Sequence, residues 1–139
     1  MTPDPPLVRP QTTLVTAARR MRDFHTNILP VLGDAGLVGV LTERDIVSGA
    51  IAEGISPMTG CVRDSMSTEV TACDTEDDGV DVAAHMARRH AARAVVVDDT
   101  GLPVGIVSIA DLLEHTQTRD VAREALERIA RAAGARLAT

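Results

Sequence analysis

A hydroxyl side chain and a carboxylate stand three residues apart at two places in the chain, each time after a glycine. The two segments read Gly39-Val40-Leu41-Thr42-Glu43-Arg44-Asp45 and Gly105-Ile106-Val107-Ser108-Ile109-Ala110-Asp111. Such a pair can start a helix, because the hydroxyl accepts a hydrogen bond from a backbone N–H and the carboxylate, here Asp in place of the usual Glu, caps others. The same geometry suits a phosphorylated nucleotide, since a helix N-terminus attracts phosphate and a carboxylate can accept ribose hydroxyls. The pattern predicts a helix cap, a nucleotide site, or both.

Both segments belong to a longer internal repeat, which guides the prediction of the fold. The matching residues lie 65 or 66 positions apart: Met1 with Met66, Met21 with Met86, His25 with His90, Gly39 with Gly105, and Asp45 with Asp111. Two copies that keep glycine, hydroxyl and carboxylate at one spacing favour a pair of ligand sites over helix capping alone. At the two glycines, the missing side chain would let a flat ring approach the strand.

The spacing of apolar residues predicts the order β-α-β-β-α in each copy. The first copy would have strands over 7–9, 28–32 and 37–41, a helix that begins at Thr12 or Thr13 and turns Leu14, Ala17, Ala18 and Met21 inward, and a closing helix over 42–53 that ends at Gly54. The second copy would have strands over 70–73, 94–97 and 103–107, a helix over 77–89 with Val80, Ala83 and Met86 inward, and a closing helix from Ser108. The predicted fold class is α+β, with the two repeats packed pseudo-symmetrically sheet to sheet, because neither three-stranded sheet has enough apolar area to stand alone.

The predicted domains are a first repeat with its connector over 1–61, a second repeat over 62–118 and a C-terminal helical tail over 119–139. The tail has no counterpart in the first copy. Its apolar residues recur at helical spacing: Val121, Ala125, Leu126, Ile129 and Ala133. This stripe must cover either the tail's own module or the same helix in a partner chain.

Composition narrows the classes of function. The chain has 139 residues, a formal net charge of -6, and Phe24 as its one aromatic residue. An acidic chain is a poor general binder of nucleic acid, and stacking platforms for single strands are lacking. The sequence shows no secretory signal, and no apolar run approaches the roughly 20 residues that span a bilayer. We therefore expect a cytoplasmic protein that binds neither nucleic acid nor membrane.

We expect that the chain is not an enzyme, because it lacks Gly-x-Ser-x-Gly, a Gly-Lys-Ser/Thr phosphate loop and His-Glu-x-x-His. His25 and His90 lie just past the first helix of each copy, where each could end that helix as a cation or reach a phosphate. We expect no metal, since His85 and His90 are five residues apart and do not share a helix face. A zinc site assembled from His and Cys side chains across the fold stays open as an alternative.

The ordered set of segments resembles the CBS domain family, named for cystathionine β-synthase, in the form of a tandem pair or Bateman module. The resemblance rests on Met66-Ser67-Thr68 at a repeat start, Ala17-Ala18-x-x-Met21, Leu29-Pro30-Val31, and the segment from Gly39 to Ile46. With the connector Ala52-Glu53-Gly54-Ile55-Ser56-Pro57, the chain is also similar to small stand-alone actinobacterial CBS-pair proteins of the hypoxic-response type. The resemblance covers residues 1–118.

The resemblance implies a regulatory module that binds adenosine-containing ligands: AMP or ADP, with ATP, NAD or S-adenosylmethionine as alternatives. It places phosphate and ribose against Thr42 and Asp45 in the first copy, and against Ser108 and Asp111 in the second. It places the adenine among residues near each repeat start and central strand, namely Val8, Leu29 and Pro30, and Val70, Thr71, Ala94 and Val95. The family also implies a homodimer that signals by changing shape or association, with an unidentified effector protein as a further partner.

The two sites are expected to differ. Arg44 has Ala110 as its counterpart, and Arg93 has Ile28, so each arginine could meet a phosphate in one copy only. Acidic residues over 74–78 would weaken polyphosphate binding near the second copy, which favours AMP or ADP over ATP. The alternative function is a structural or stress-response interaction protein with vestigial ligand sites that could bind metal.

Overall fold

The chain folds into six strands and five α-helices in the part that the computed structural model describes. That part is residues 1–114 and 118–138, with side chains described as far as residue 132. The strands are β1 (Thr2–Pro3), β2 (Ile28–Gly33), β3 (Gly36–Thr42), β4 (Ala72–Asp74), β5 (Arg93–Val97) and β6 (Pro103–Ser108). The helices are α1 (Leu14–Asp23), α2 (Glu43–Ile46), α3 (Gly79–Arg88), α4 (Ile109–Leu113) and α5 (Arg119–Ala138). The predicted α+β class and the C-terminal helix are confirmed.

These elements fall into two compact units. The first-repeat unit consists of Asp4–Val70 and Thr100–Pro103, and the second-repeat unit consists of Met1–Pro3, Thr71–Asp99 and Val104–Thr139. The first-repeat unit therefore includes Thr100–Pro103 from the second repeat, and the second-repeat unit includes Met1–Pro3 from the first. The predicted boundary at residues 61 and 62 concerns the sequence repeats and stays a prediction.

Helix α1 supplies one wall of the first-repeat core. The Thr13 hydroxyl caps it by accepting a hydrogen bond from the Thr16 backbone N–H at 3.4 Å. Leu14, Ala17 and Met21 follow at helical spacing and are buried. The inward face of this helix was predicted correctly, and Thr13 is the one of the two predicted caps that forms.

The hairpin of β2 and β3 carries the first hydroxyl of the repeated motif. It is antiparallel and sets Ile28 opposite Thr42, so Thr42 ends β3 beside the start of β2. Val8 joins β2 only through a parallel bridge to Val31. The strand predicted over 7–9 is thus reduced to one bridge, because the flanking prolines cannot donate to a strand ladder.

The closing helix of the first copy is not the α-helix predicted over 42–53. Helix α2 has one turn, and a π-helical turn, Val47–Ile51, follows it. The Ala52 N–H donates to the Val47 carbonyl at 2.9 Å, five residues back. The glycine in this turn is a weak helix former, which favours the irregular geometry. Gly54 ends the segment as predicted, in the left-handed conformation with φ 79°.

The second-repeat unit is built on a four-stranded sheet with the order β1-β6-β5-β4, in which β4 lies parallel to β5. Asp78 caps α3 by accepting from the Val80 N–H at 3.0 Å, so this helix begins two residues later than predicted. Val80, predicted to face inward, is only half-buried. The residues that α3 buries are Val82, Ala83, Met86 and Ala87.

The opening residues of each repeat pair with a strand outside that repeat. In the second-repeat unit, β1 is antiparallel to β6 and sets Thr2 opposite Ile106. In the first-repeat unit, Ser67 and Val40 exchange two backbone hydrogen bonds of 2.9 and 3.0 Å. This exchange was not predicted, because the spacing of apolar residues does not show which distant segments pair with each other.

Helix α5 covers its own module by packing against α3 and α4. The residues that it buries, completely or in part, are Val121, Ala122, Ala125 and Ile129. Leu126 is 45% exposed and takes no part in this contact, so contact of Leu126 with a partner chain stays a prediction, and the side chain of Ala133 lies outside the described residues. Small alanines form the contact because they let the helices approach closely. Neither α5 nor any other helix of the described residues is long and apolar enough to cross a membrane.

Candidate functional site

Both hydroxyl–carboxylate pairs form a reciprocal helix cap. The Thr42 hydroxyl accepts a hydrogen bond from the Asp45 N–H at 3.1 Å, and Asp45 Oδ2 accepts one from the Thr42 N–H at 2.9 Å. Ser108 and Asp111 make the same two hydrogen bonds at 3.1 and 2.9 Å. The helix-capping interpretation is confirmed in both copies.

Each cap is tied to the residue that precedes the neighbouring strand. The Glu43 N–H donates to the Asn27 carbonyl at 3.1 Å, and the Ile109 N–H donates to the Ala92 carbonyl at 3.0 Å. Within the described part of the chain, the second oxygen of each motif carboxylate, Oδ1, makes no hydrogen bond. Each junction therefore keeps one acceptor that a hydroxyl group of a ligand could use.

An ammonium group distinguishes the second cap from the first. The Met1 ammonium lies 3.6 Å from Asp111 Oδ2. Burial acts to raise the pKa of Asp111, but hydrogen bonds from the backbone and hydroxyl of Ser108, together with the ammonium, outweigh it and hold this pKa below its usual value. Asp45 forms no ion pair with any residue that the structure describes.

The two motif glycines make room for methionine side chains. A Cβ on Gly39 would lie 2.6 Å from the Ser67 carbonyl oxygen and 3.2 Å from Met66 Sδ. A Cβ on Gly105 would collide with the side chain of Met1. The expectation that these positions admit a flat ring is therefore wrong, because residues that open a repeat already occupy the space.

Most residues predicted to surround the adenine are buried. Val8, Leu29, Pro30, Thr71, Ala94 and Val95 are buried, and Val70 is half-buried. Val8 and Leu29 belong to the aliphatic core of the first-repeat unit. The backbone brings the predicted segments together in each copy, since Val8 donates to the Pro30 carbonyl at 3.2 Å and Val95 to the Thr71 carbonyl at 2.9 Å. Contact of these residues with a ligand stays a prediction.

One arginine beside the predicted site residues was missed. Arg44 is exposed and Arg93 is half-buried at the start of β5, and the contact of each with a phosphate stays a prediction. Arg89, which was not predicted, donates from Nε to the hydroxyl of Thr71 at 3.1 Å. The repeat spacing places Phe24 at the equivalent position of the first copy, so a comparison of the two copies could have identified this difference.

The paired histidines end their helices. His25 and His90 have φ values of 53° and 52°, in the left-handed region that residues adopt just after a helix C-terminus. This geometry supports the helix-end interpretation. Among the described residues there is no group of three or more His, Cys, Asp or Glu side chains that could hold a metal ion. Cys61 is half-buried and Cys73 is buried, and both are free thiols.

Comparison with known sequences identifies both repeats. The family model of the CBS domain matches residues 1–51 and 62–117. The CBS domain-containing protein YhcV of Bacillus subtilis is 33% identical over 129 residues, which is 93% of this chain and 91% of YhcV. Hypoxic response protein 1 of Mycobacterium tuberculosis is 33% identical over 104 residues, which is 74% of this chain and 72% of that protein.

Three solved structures share the fold. A CBS domain protein of unknown function from Thermoplasma acidophilum, TA0289, has a TM-score of 0.74 and 31% identity, with 92% of this chain and 72% of that chain covered. Hypoxic Response Protein I with two coordinated zinc ions has a TM-score of 0.72 and 30% identity, with 83% and 93% covered. The cytosolic domain of the Mg2+ channel MgtE in complex with ATP has a TM-score of 0.69 and 29% identity, with 82% and 46% covered.

Proposed function

The chain belongs to the CBS domain family, and from that membership we propose that it is a regulatory module that binds adenine nucleotides. AMP or ADP is the proposed ligand, with ATP, NAD and S-adenosylmethionine as alternatives. The observation that carries the proposal is the duplicated cap, in which Thr42 with Asp45 and Ser108 with Asp111 adopt one geometry at equivalent strand–helix junctions.

Each cap has groups left over for a nucleotide. The hydroxyl oxygen accepts from the backbone, so its proton can be donated to a phosphate oxygen. The remaining carboxylate oxygen of Asp45 or Asp111 can accept a hydrogen bond from a ribose hydroxyl. The backbone of the segments at Val8, Pro30, Thr71 and Val95 would border the adenine. The ATP complex of the related MgtE domain supports this ligand class.

The two sites would bind with different affinity. Arg44 adds a positive charge beside the first cap, where the second copy has Ala110. Beside the second cap, the Met1 ammonium partly neutralises Asp111, and Arg89 binds the hydroxyl of Thr71. Ligand charge would therefore affect the two sites unequally, because their fixed charges differ.

The proposed output is a change of shape or of association. A ligand shifts such an equilibrium only if it binds two states with different affinity. We propose a homodimer that acts in the cytoplasm on an effector protein, without catalysing a reaction itself. The alternative is a stress-response interaction protein with vestigial nucleotide sites, and the zinc ions of Hypoxic Response Protein I make metal binding part of that alternative.

Isothermal titration with AMP, ADP, ATP, NAD and S-adenosylmethionine tests the proposal. The informative variant is Asp45→Asn/Asp111→Asn, because the amide oxygen can still accept the capping N–H while the charge is lost. We expect at least one adenine ligand to bind the unchanged protein, and the double variant to bind it about tenfold or more weakly, the usual effect of losing a charged hydrogen bond.

Asp64→Asn is the matched control. Asp64 Oδ2 accepts the Cys61 N–H at 3.0 Å in a third capping box, which lies outside the repeated motif. This variant should bind nucleotide as the unchanged protein does. Absence of binding of all five ligands to the unchanged protein at millimolar concentration would refute the proposal, and uptake of zinc in its place would support the alternative.

A further inference from the structure

The second-repeat unit contains a cavity of about 170 Å3 between helix α3, helix α4 and one face of the sheet. Its inner walls are apolar and consist of Cys73, Val82, Val96, Val107 and Leu112. Asp74 and Asp77 lie at its mouth and are exposed. Met1 also lines it, and the Met1 ammonium lies 3.6 Å from Asp111 Oδ2, so the cavity adjoins the second cap although Ser108 and Asp111 do not line it.

The first repeat fills the equivalent place with side chains. Leu14 and Leu41 are completely buried in the first-repeat core, and the repeat spacing sets them opposite Gly79 and Val107. Thr118 occupies part of the place of the first leucine, since a Cβ on Gly79 would lie 2.8 Å from Thr118 Cγ2, and Val107 is one methylene group smaller than Leu41. Val82, which stands where the first copy has Ala17, fills a further part of the place of the leucines. The smaller side chain of Val107 therefore contributes to the space in the second copy.

An apolar cavity of this size suits a single small ring. Its volume is close to that of an enclosed apolar protein cavity of about 150 Å3 that binds benzene, although this cavity is open to solvent on the side of Asp74 and Asp77. The thiol of Cys73 keeps the wall uncharged, because burial and the nearby charges of Asp77 and Asp74 raise its pKa to about 11. A nucleotide, with its sugar and phosphates, is too large and too polar for this space.

The mouth of the cavity is negatively charged. Asp77 Oδ2 accepts the Asp74 backbone N–H at 2.8 Å, which holds both side chains at the same turn. Within the described residues, neither carboxylate forms an ion pair. Met1 also lines the cavity, but its ammonium lies 3.6 Å from Asp111 Oδ2 and pairs with neither Asp74 nor Asp77. A protonated amine would therefore gain two carboxylate partners that an anion would not.

We propose that this cavity binds a small organic cation, with a compact apolar group of about the size of benzene inside and a protonated amine at Asp74 and Asp77. The proposal goes beyond the nucleotide function, since its ligand has the opposite charge and contacts Asp74 and Asp77, while Met1 both lines the cavity and contacts the second cap.

Three ligands of the same size test the proposal on the full chain by NMR titration: benzylamine, benzyl alcohol and benzoate. Benzylamine should shift the backbone amide signals of Val82, Val96 and Val107, benzyl alcohol should do so more weakly, and benzoate should bind least. Absence of any shift with benzylamine at roughly 10 mM, the affinity range of so small a ligand, would overturn the proposal. Equal binding of benzylamine and benzoate would overturn the assignment of a cation.

Two variants separate the roles of the cavity and of its mouth. Val107→Leu places the first copy's residue in the cavity and should weaken benzylamine about tenfold or more, since one methylene group has that effect in a tight pocket. Leu41→Val, the reverse change in the first repeat, is the control and should leave benzylamine binding unchanged. Asp74→Asn/Asp77→Asn should reduce the preference for benzylamine over benzyl alcohol by about two- to fivefold, as expected of exposed charges. Unchanged benzylamine binding in a folded Val107→Leu protein, or an unchanged preference in the carboxylate variant, would contradict the proposal.

Discussion

The hydroxyl and carboxylate residues of the repeated motif have two separate sets of hydrogen-bonding groups. The backbone caps use the hydroxyl lone pairs of Thr42 and Ser108 and one oxygen of each carboxylate. The hydroxyl proton and the second carboxylate oxygen are left for a ligand. A nucleotide could therefore bind without breaking either cap, and the helix start would hold the binding groups in place before the ligand arrives.

Because the Ser67 backbone lies close to Gly39, we expect a single added methyl group at this position to destabilise the protein strongly. Gly39→Ala should lower the free energy of unfolding by about 1–3 kcal/mol, because the new Cβ would lie 2.6 Å from a backbone oxygen. Urea unfolding measures this change. Gly49→Ala is the control: its Cβ would meet nothing closer than Ser65 Cβ at 3.9 Å, and the change should be neutral or stabilising by about 0.5–1 kcal/mol. Equal effects of the two substitutions would show that the strand approach is looser than described.

The lowered pKa of Asp111 predicts a pH dependence of stability. A carboxyl group with a folded-state pKa below its unfolded value stabilises the protein above the unfolded pKa, and this contribution is lost as the pH falls through the folded pKa. Asp111→Asn should therefore lower the urea midpoint at neutral pH and have progressively less effect below about pH 4, the usual range of a carboxyl. A difference between the two proteins that stays constant from neutral to acidic pH would contradict this account.

Among the elements, the helices whose apolar residues recur at regular spacing were predicted well. The Thr13 cap and the inward face of α1 follow from residues that are neighbours on one helix. The pairing of β1 with β6 was missed, because it depends on contacts between residues distant in sequence. The π-helical turn at Val47–Ile51 was missed because the spacing of apolar residues does not distinguish it from a regular α-helix. The site shows the same division: both caps were predicted, whereas the role of Gly39 and the contact of Arg89 required the packed structure.

From the packing of α5, we expect a substitution at a small alanine to destabilise the protein more than one at a neighbouring leucine. Ala125 is completely buried and Leu126 is 45% exposed. Ala125→Gln should lower the free energy of unfolding by about 1–3 kcal/mol, because a larger polar side chain is forced into a packed contact. Leu126→Gln should change it by no more than about 0.5 kcal/mol. Chemical unfolding of the two variants distinguishes the buried face of α5 from its exposed face. A larger effect at Leu126 would show that this residue lies in an interface with a partner chain.

For the whole molecule, duplication provides two related strand–helix junctions, which we propose as nucleotide sites, and one cavity that the proposed nucleotide function does not explain. The caps are alike in both repeats, while Arg44, Arg89 and the Met1 ammonium make their surroundings unequal. The cavity lies in the second repeat, where Val107 stands in place of Leu41, and the ligand that we propose for it is of another class. Repetition thus preserved the helix starts and allowed the flanking positions to diverge.

The most direct test of the central claim is an NMR titration with AMP and ADP that follows the backbone amides of the caps. The account predicts that the Thr42 and Ser108 amide signals shift with saturation, since their N–H groups bind the carboxylates that would contact the ribose. The Cys61 amide, which binds Asp64 in the same type of cap outside the motif, should not move. If the Thr42 and Ser108 signals stay fixed at millimolar nucleotide, or move no more than that of Cys61, the motifs are helix caps alone and the nucleotide sites are refuted.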